Sequence, residues 1–266
     1  MAESLASADG QRRSSSTVDL AGKKILITGG GSGIGLELAR RLAAGNRVVI
    51  GGRDEERLGR ARAEIPSLLT RRMDVTSEDE AREMIAWLEE ELGGLDVLLN
   101  SAGLLRGYAL TDAEAATQSD EDVQVNLLGA LRMTRLALPL LRTSGAGAVV
   151  YISSAVVLAA VPGFSVYTAT KAAVHSLARS LRAELEPSGI RVFDVLPPLV
   201  DTGPVGNLDV PKLSPGAVAG AIVDGIGRDR EEIRIGQVRQ LAVIARIMPR
   251  LADRLVVRAF TPQREA

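Results

Sequence analysis

A tyrosine and a lysine stand four residues apart in Tyr167-Thr168-Ala169-Thr170-Lys171. On a helix that spacing puts the two side chains one above the other, with Cβ atoms about 5–6 Å apart. An ammonium then lies beside a phenol. A free phenol titrates at about pH 10, and bringing it three units toward neutrality takes about 4 kcal/mol of preferential stabilisation of the phenolate. A neighbouring cation partly shielded from water is the kind of group that supplies this. Alone, the pair is common on solvated helix faces. Its chemistry depends on what the rest of the chain brings to it.

Composition removes most competitors. The 266 residues include no cysteine and one histidine, His175. Disulfides, thiolate sites and cysteine nucleophiles are excluded, and neither a histidine metal cluster nor a Ser-His-Asp triad is expected. No metal is expected. Acid–base chemistry near neutral pH must rest on carboxylates, lysine or an activated tyrosine. A net charge of −1 gives no general attraction to nucleic acid or anionic membrane, and the seven aromatics are too scattered to stack bases. No eighteen consecutive residues are apolar, so no transmembrane helix is expected. Residues 1–19, rich in Ser, Ala, Arg and Asp, lack the apolar run of a signal peptide and read as a disordered tail. A cytoplasmic protein is expected.

The elements that must position the pair follow in order. Lys24-Ile25-Leu26-Ile27-Thr28 is an apolar run suited to a strand buried on both faces. The glycine cluster Gly29–Gly35 follows, then a helical stretch with Ile34, Leu38 and Leu42 at fourfold spacing. Strand, glycine turn and helix make the start of a dinucleotide-binding unit: the glycines admit a pyrophosphate and the N–H groups of the helix start hold its charge. Arg47–Ile50 is a second strand, ending at Gly51-Gly52-Arg53. An acid at this strand end serves NAD, a nearby Arg the 2′-phosphate of NADP. Asp54 and Glu55 read as the cap and first turn of a helix Asp54–Glu64, so Arg53 is better placed and Gly52 leaves room; NADP(H) is favoured over NAD(H).

Leu69 to Met73 fits a third strand, and Ser77 with Glu80 a capping box opening the next helix. Leu95–Asn100 is a fourth strand, running into Ser101-Ala102-Gly103. A helix from about Asp120 to Leu141 carries Asn126. Gly147–Ile152 is a fifth strand with Ser153 and Ser154 at its end, and the helix of Tyr167 and Lys171 runs to Pro187. Ile190–Leu196 is a sixth strand, Ser214-Pro215 starts a helix, and Glu232–Ile235 is a last strand. Alternation with short links predicts an α/β fold: one doubly wound, mostly parallel, Rossmann-type sheet of about seven strands flanked by helices. Ligands bind such sheets at the C-terminal strand ends, where all these motifs fall.

In order and register from about Leu20 to Gly236, these motifs resemble the single-domain short-chain dehydrogenases/reductases. Thr28, Gly29, Ser32, Gly33, Ile34 and Gly35 match the family's cofactor loop; Asn100, Ala102 and Gly103 match the motif bracing the sheet under the adenine. Asp74, with Val75, matches the adenine-contacting acid. Ser154, thirteen residues before Tyr167, matches the active-site serine, with Ser153 the weaker candidate, and Asn126 completes a tetrad with Ser154, Tyr167 and Lys171. The resemblance implies hydride transfer between NADP(H) and a small-molecule carbonyl or secondary alcohol. Tyr167 would be the general acid, Lys171 would lower its pKa and hold the nicotinamide ribose, Ser154 would bind the substrate oxygen, and Asn126 would hold a relay water. Pro197, Val200 and Thr202 match cofactor-contacting positions, but Pro197-Pro198 replaces the family's usual Pro-Gly. Finer resemblance, in Pro198–Thr202 and Glu232–Gln237, is to the DltE-like branch, named after the oxidoreductase of lipoteichoic acid D-alanylation operons.

Leu104, Ala155, Val156, Phe164 and Leu199 form the expected substrate wall, with Leu105 beside them. The short segment between Thr202 and Ser214 argues for a small or open lid. Arg106 reads as an exposed loop arginine before it reads as an anion contact. Residues 237–266 form an extension with apolar residues at helical spacing and many arginines. A lid or a subunit contact is favoured there over an anionic membrane surface. The resemblance also implies a homodimer or homotetramer. A non-catalytic dinucleotide-binding redox regulator, an NAD-dependent dehydrogenase of the same fold, and an epimerase or dehydratase of the extended relatives are the alternatives.

Overall fold

Apolar runs too short for helices form the sheet. In the computed structural model, which describes residues 18–202 and 211–260, the strands are β1 (Lys24–Thr28), β2 (Arg47–Gly52), β3 (Leu69–Arg72), β4 (Val97–Asn100), β5 (Ala148–Ile152), β6 (Arg191–Leu196) and β7 (Glu232–Arg234). They lie in the order β3-β2-β1-β4-β5-β6-β7, every neighbouring pair parallel. The expectations for residues 1–17, for most of the link after Thr202 (residues 203–210) and for residues 261–266 lie outside the described residues.

The helices are α1 (Gly33–Ala43), α2 (Glu55–Glu64), α3 (Glu78–Leu92), α4 (Ala115–Val123), α5 (Ala130–Thr143), α6 (Ser165–Leu185), α7 (Pro215–Gly227), α8 (Val238–Ile247) and α9 (Pro249–Phe260). Strand residues alternate between two cores. Ile25, Ile27, Val48 and Ile50 face α1, α2 and α7, whereas Leu26, Val49 and Leu98 face α3, α5 and α6. Burial on both sides is why these strands carry so few polar residues.

Caps set the helix starts. Asp54 accepts from Arg57 N at 3.0 Å and Ser214 from Ala217 N at 3.2 Å. Ser77 accepts from Glu80 N at 3.2 Å, but Glu80 turns its carboxylate to Asp74 N at 2.8 Å, so the expected capping box closes on one arm. The helix around Asn126 begins at Ala115, earlier than its sequence suggests, and passes through a π-helical turn at Gln124–Gly129 into α5. The wide turn packs tightly on the segment after β3: a Cβ on Gly129 would lie 2.7 Å from Val75 Cγ2.

After β1 the chain winds outward through β2 and β3, then returns to lay β4 on the other side of β1. The winding reverses between β1 and β4, which opens a crevice at their C-terminal ends.

Candidate active site

The crevice is closely built. Gly29 follows β1 at φ +66°, and a Cβ there would stand 2.7 Å from Ala102 Cα, in the turn after β4. A Cβ on Gly35 would meet Gly29 O at 2.5 Å, so α1 packs directly on the loop. Ser32, at the N-cap of α1, makes no side-chain cap, leaving first-turn N–H groups directed at the crevice. These are the parts that a dinucleotide pyrophosphate requires, and the residues fit such a group.

A cavity of about 990 Å³ runs from this crevice along the strand ends. Gly29, Ser32, Gly33, Ile34, Ala102, Gly103, Pro197, Val200 and Thr202 line it, together with Ser154, Tyr167 and Lys171. Thr28, Gly35, Arg53, Asp74, Val75, Asn100 and Asn126 do not. Thr28 is 1% exposed, and its hydroxyl accepts the N–H groups of Ser101 (3.2 Å) and Ala102 (3.1 Å). Asn100 donates to Thr134 Oγ1 at 3.2 Å, and Thr134 bonds the buried Tyr151 hydroxyl at 2.7 Å. Thr28 and Asn100 therefore brace the crevice from behind. Asp74 accepts from Thr76 N and Oγ1 at 2.9 and 2.8 Å, and Val75 is buried against Gly129.

Arg53 lies outside the cavity, paired with Asp74 at 3.9 Å and Glu121 at 3.6 Å. Arg57 takes the place expected for it. Its Nη1 is 3.5 Å from Ser32 Oγ and its Nε 2.9 Å from Asp54, and it lines the cavity. The signal was in the cap: Asp54 starts α2, which turns the residue three positions on back toward the glycine loop.

Tyr167 stands in the first turn of α6, with the Lys171 ammonium one turn on, 5.8 Å from the phenol ring centre. Lys171 is 6% exposed and donates to Ile152 O, at the end of β5, at 2.8 Å. The two adjacent serines separate cleanly. Ser153 Oγ donates into the sheet to Val195 O at 2.8 Å, whereas Ser154 turns to the phenol and hydrogen-bonds it. Burial pushes the Tyr167 phenol up to about 12, and the Ser154 hydrogen bond pulls against that. Burial also brings Lys171 down to about 8, opposed by the charge of Asp194. The direction at Tyr167 is opposite to the lowering expected from a neighbouring lysine: loss of water outweighs the Ser154 hydrogen bond. Asn126 spends its amide on the turn, accepting from Leu104 N at 2.7 Å and donating to Leu104 O at 3.0 Å. It also reaches Thr170 Oγ1, at 3.3 Å. The tetrad is thus built around Gly103, where a Cβ would sit 3.3 Å from both Asn126 Oδ1 and Lys171 Nζ.

His175, one turn beyond Lys171, packs against the fully buried Asp194 of β6, Nδ1 to Oδ2 2.5 Å. Glu232 on β7 and Arg179 on α6 also act on this ring, and the Asp194 hydrogen bond raises the His175 pKa above its usual value. A raised folded pKa stabilises the fold fully below the unfolded value of about 6.5, and this is lost as pH rises through the folded one. The melting temperature of wild type should exceed that of His175→Asn most below about pH 6. The gap should close as the pH is raised past the elevated His175 pKa; a gap constant across pH would show that the pair carries no proton-linked stability.

Leu104, Ala155, Val156, Phe164 and Leu199 all line the substrate side of the cavity. Ala155 and Val156 belong to a short 3-10 turn, Ala155–Leu158, that their sequence does not announce. The Pro197-Pro198 loop keeps a defined path: Pro197 O accepts from Ala155 N at 2.9 Å and Leu199 O from Leu213 N at 3.0 Å. Arg106 reaches the cavity wall but is held by Glu121 at 2.7 Å and Asp122 at 3.6 Å. The C-terminal extension closes the far side. Leu241 and Ile244 of α8 and Leu255 and Val256 of α9 line the cavity, and Asp253 accepts from Ala160 N at 2.9 Å.

A family model described as short chain dehydrogenase matches residues 23–211. The uncharacterised oxidoreductase DltE of Bacillus subtilis (strain 168) is 36% identical over 182 residues, 67% of this chain and 72% of that protein. An uncharacterised oxidoreductase of Staphylococcus saprophyticus is 34% identical over 215 residues, 77% of this chain and 92% of that protein. Among solved structures, a short chain dehydrogenase from Burkholderia cenocepacia J2315 in complex with NADP superposes with TM-score 0.81 at 26% identity, covering 92% of this chain and all of that one. An alcohol dehydrogenase from Thermococcus sibiricus complexed with 5-hydroxy-NADP gives TM-score 0.72 at 28% identity, covering 80% and 95%. With the glycine crevice, the seven-stranded parallel sheet and the Ser154–Tyr167–Lys171 cluster in one cavity, the chain belongs to the short-chain dehydrogenase family of oxidoreductases.

Proposed function

We propose that the protein transfers hydride between NADP(H) and a carbonyl or secondary alcohol, with Tyr167 as general acid for reduction and base for oxidation. One observation carries the reading: the Ser154 hydroxyl, the Tyr167 phenol and the Lys171 ammonium meet in a cavity whose other end is the glycine crevice. The nicotinamide, when bound, supplies or takes the hydride. The chain's own groups do the rest. Ser154 and the phenol hold the substrate oxygen, Tyr167 gives it a proton as negative charge gathers there, and Lys171 supports the phenolate left behind. The N–H groups at the start of α1 hold the pyrophosphate.

Arg57 favours NADP(H): it touches Ser32 at the loop and lines the cavity. The NADP and 5-hydroxy-NADP in the two related structures support the same choice. Arg57→Ala should weaken NADPH about 10- to 100-fold in a fluorescence titration, the worth of a charge-assisted hydrogen bond, while NADH stays within about twofold. Equal NADPH affinity in variant and wild type would remove Arg57 from the cofactor site. Following nicotinamide absorbance across a panel of ketones and secondary alcohols tests the reaction class itself.

A further inference from the structure

The solvent-facing side of α8 and α9 is both apolar and cationic. Seven large hydrophobic side chains are exposed among the described residues, and five of them fall in one short stretch: Val243, Ile247, Met248, Leu251 and Leu255. Such concentration distinguishes this face from ordinary scattered surface hydrophobics. Arginines border the row. Arg246 follows Val243, Arg254 follows Leu251 and Arg258 follows Leu255, each by three positions, which makes them neighbours on the helix surface. Among the described residues, no carboxylate pairs with Arg246, Arg250, Arg254 or Arg258. The stretch has one acid, Asp253, and it faces inward to Ala160.

We propose that this face docks on an anionic lipid bilayer, with α8 and α9 lying in the headgroup plane. Charge selects the occupant. The chain as a whole carries −1, yet residues 238–258 hold five arginines against one acid, so the positive field is local to this face. A two-fold contact with a second copy would return this cationic surface on itself, whereas phosphodiester headgroups neutralise it. Arginine stems lie along apolar surface while their heads stay in the polar layer, and five apolar side chains enter the acyl boundary. No helix among the described residues is long and apolar enough to cross a membrane, so the contact is peripheral. Leu255 is 48% exposed and also lines the cavity, so apolar surface runs from the docking face into the site. If the reductase reading holds, a lipophilic carbonyl compound or alcohol enters the site from the bilayer by that route.

The test is co-sedimentation of the full chain with vesicles of phosphatidylcholine alone or with about 30 mol% phosphatidylglycerol. The expected result is binding at least about tenfold tighter to the anionic vesicles, falling away as salt rises toward about 0.5 M. Arg246→Glu with Arg250→Glu should lose most of that binding, and Val243→Ser with Ile247→Ser should weaken it without changing the melting temperature. Equal binding to both vesicle types, or undiminished binding by the charge-reversed variant, overturns the proposal. So does an oligomer in light scattering that Ile247→Glu dissociates, since a second copy then covers the face. No nucleotide or carbonyl enters the assay, so its failure leaves the reductase reading untouched.

Discussion

Tyr167→Phe should lower kcat for ketone reduction by about 10³-fold, within the range for loss of a positioned general acid. The substitution keeps the ring and its packing and removes only the O–H that faces Ser154. With the phenol pushed up to about 12, essentially every molecule carries that proton at neutral pH, as reduction needs. A phenol so reluctant to ionise gives up its proton only as charge builds on the substrate oxygen. The loss should therefore fall on kcat, with NADPH affinity within about twofold of wild type, as measured by steady-state kinetics and nucleotide titration. Equal turnover by the variant would end the enzymatic reading and favour the redox-regulator alternative.

Lys171→Met should cost about 10²- to 10³-fold in kcat, the scale seen when a preorganised electrostatic group is removed. The unbranched side chain fits the same narrow space, but the ammonium that bonds Ile152 O and backs the Tyr167 ring is gone. The pH profile identifies the cause. Burial brings Lys171 down to about 8, so its positive charge is present below that pH and lost above it. Reduction by wild type should decline as pH rises through about 8, and Lys171→Met should lack that limb. Asp194, whose charge works against the burial of Lys171, sets the limb's position; Asp194→Asn should move it to lower pH. An unchanged limb in Lys171→Met would assign it to another group.

Much of this was readable from the chain because the relevant physics is local. A strand buried on both faces has to be an apolar run, so Lys24–Thr28 is found from its residues alone and ends where expected. Asp54, Ser77 and Ser214 announce their helices because a cap needs only three following residues. The site motifs are legible for the same reason, each being a few residues at the end of one strand or on one helix turn.

What could not be read depends on which neighbour a side chain chooses. Thr28 and Asn100 turn out to brace the crevice because their partners, Ser101, Ala102 and Thr134, lie on other elements. Arg53 is drawn off by Asp74 and Glu121, leaving Arg57 beside the loop. The upward push on Tyr167 comes from burial, which spacing on a helix does not report. The extension beyond Gly236 was periodic enough to read as helix, yet its role as cavity wall depends on docking against the turn at Ala155–Leu158.

In the proposed reaction Tyr167 protonates a carbonyl oxygen while hydride arrives from the nicotinamide. The most direct test is single-turnover reduction of ketones with 4-deuterated NADPH of the transferred face, followed by mass spectrometry of the alcohol. Wild type should deliver one deuterium to carbon, and Tyr167→Phe, with the nucleotide bound, should deliver it about 10³-fold more slowly. Deuterium transfer at the same rate by both proteins would contradict the proposal, as would NADPH binding with no transfer to any carbonyl of the panel.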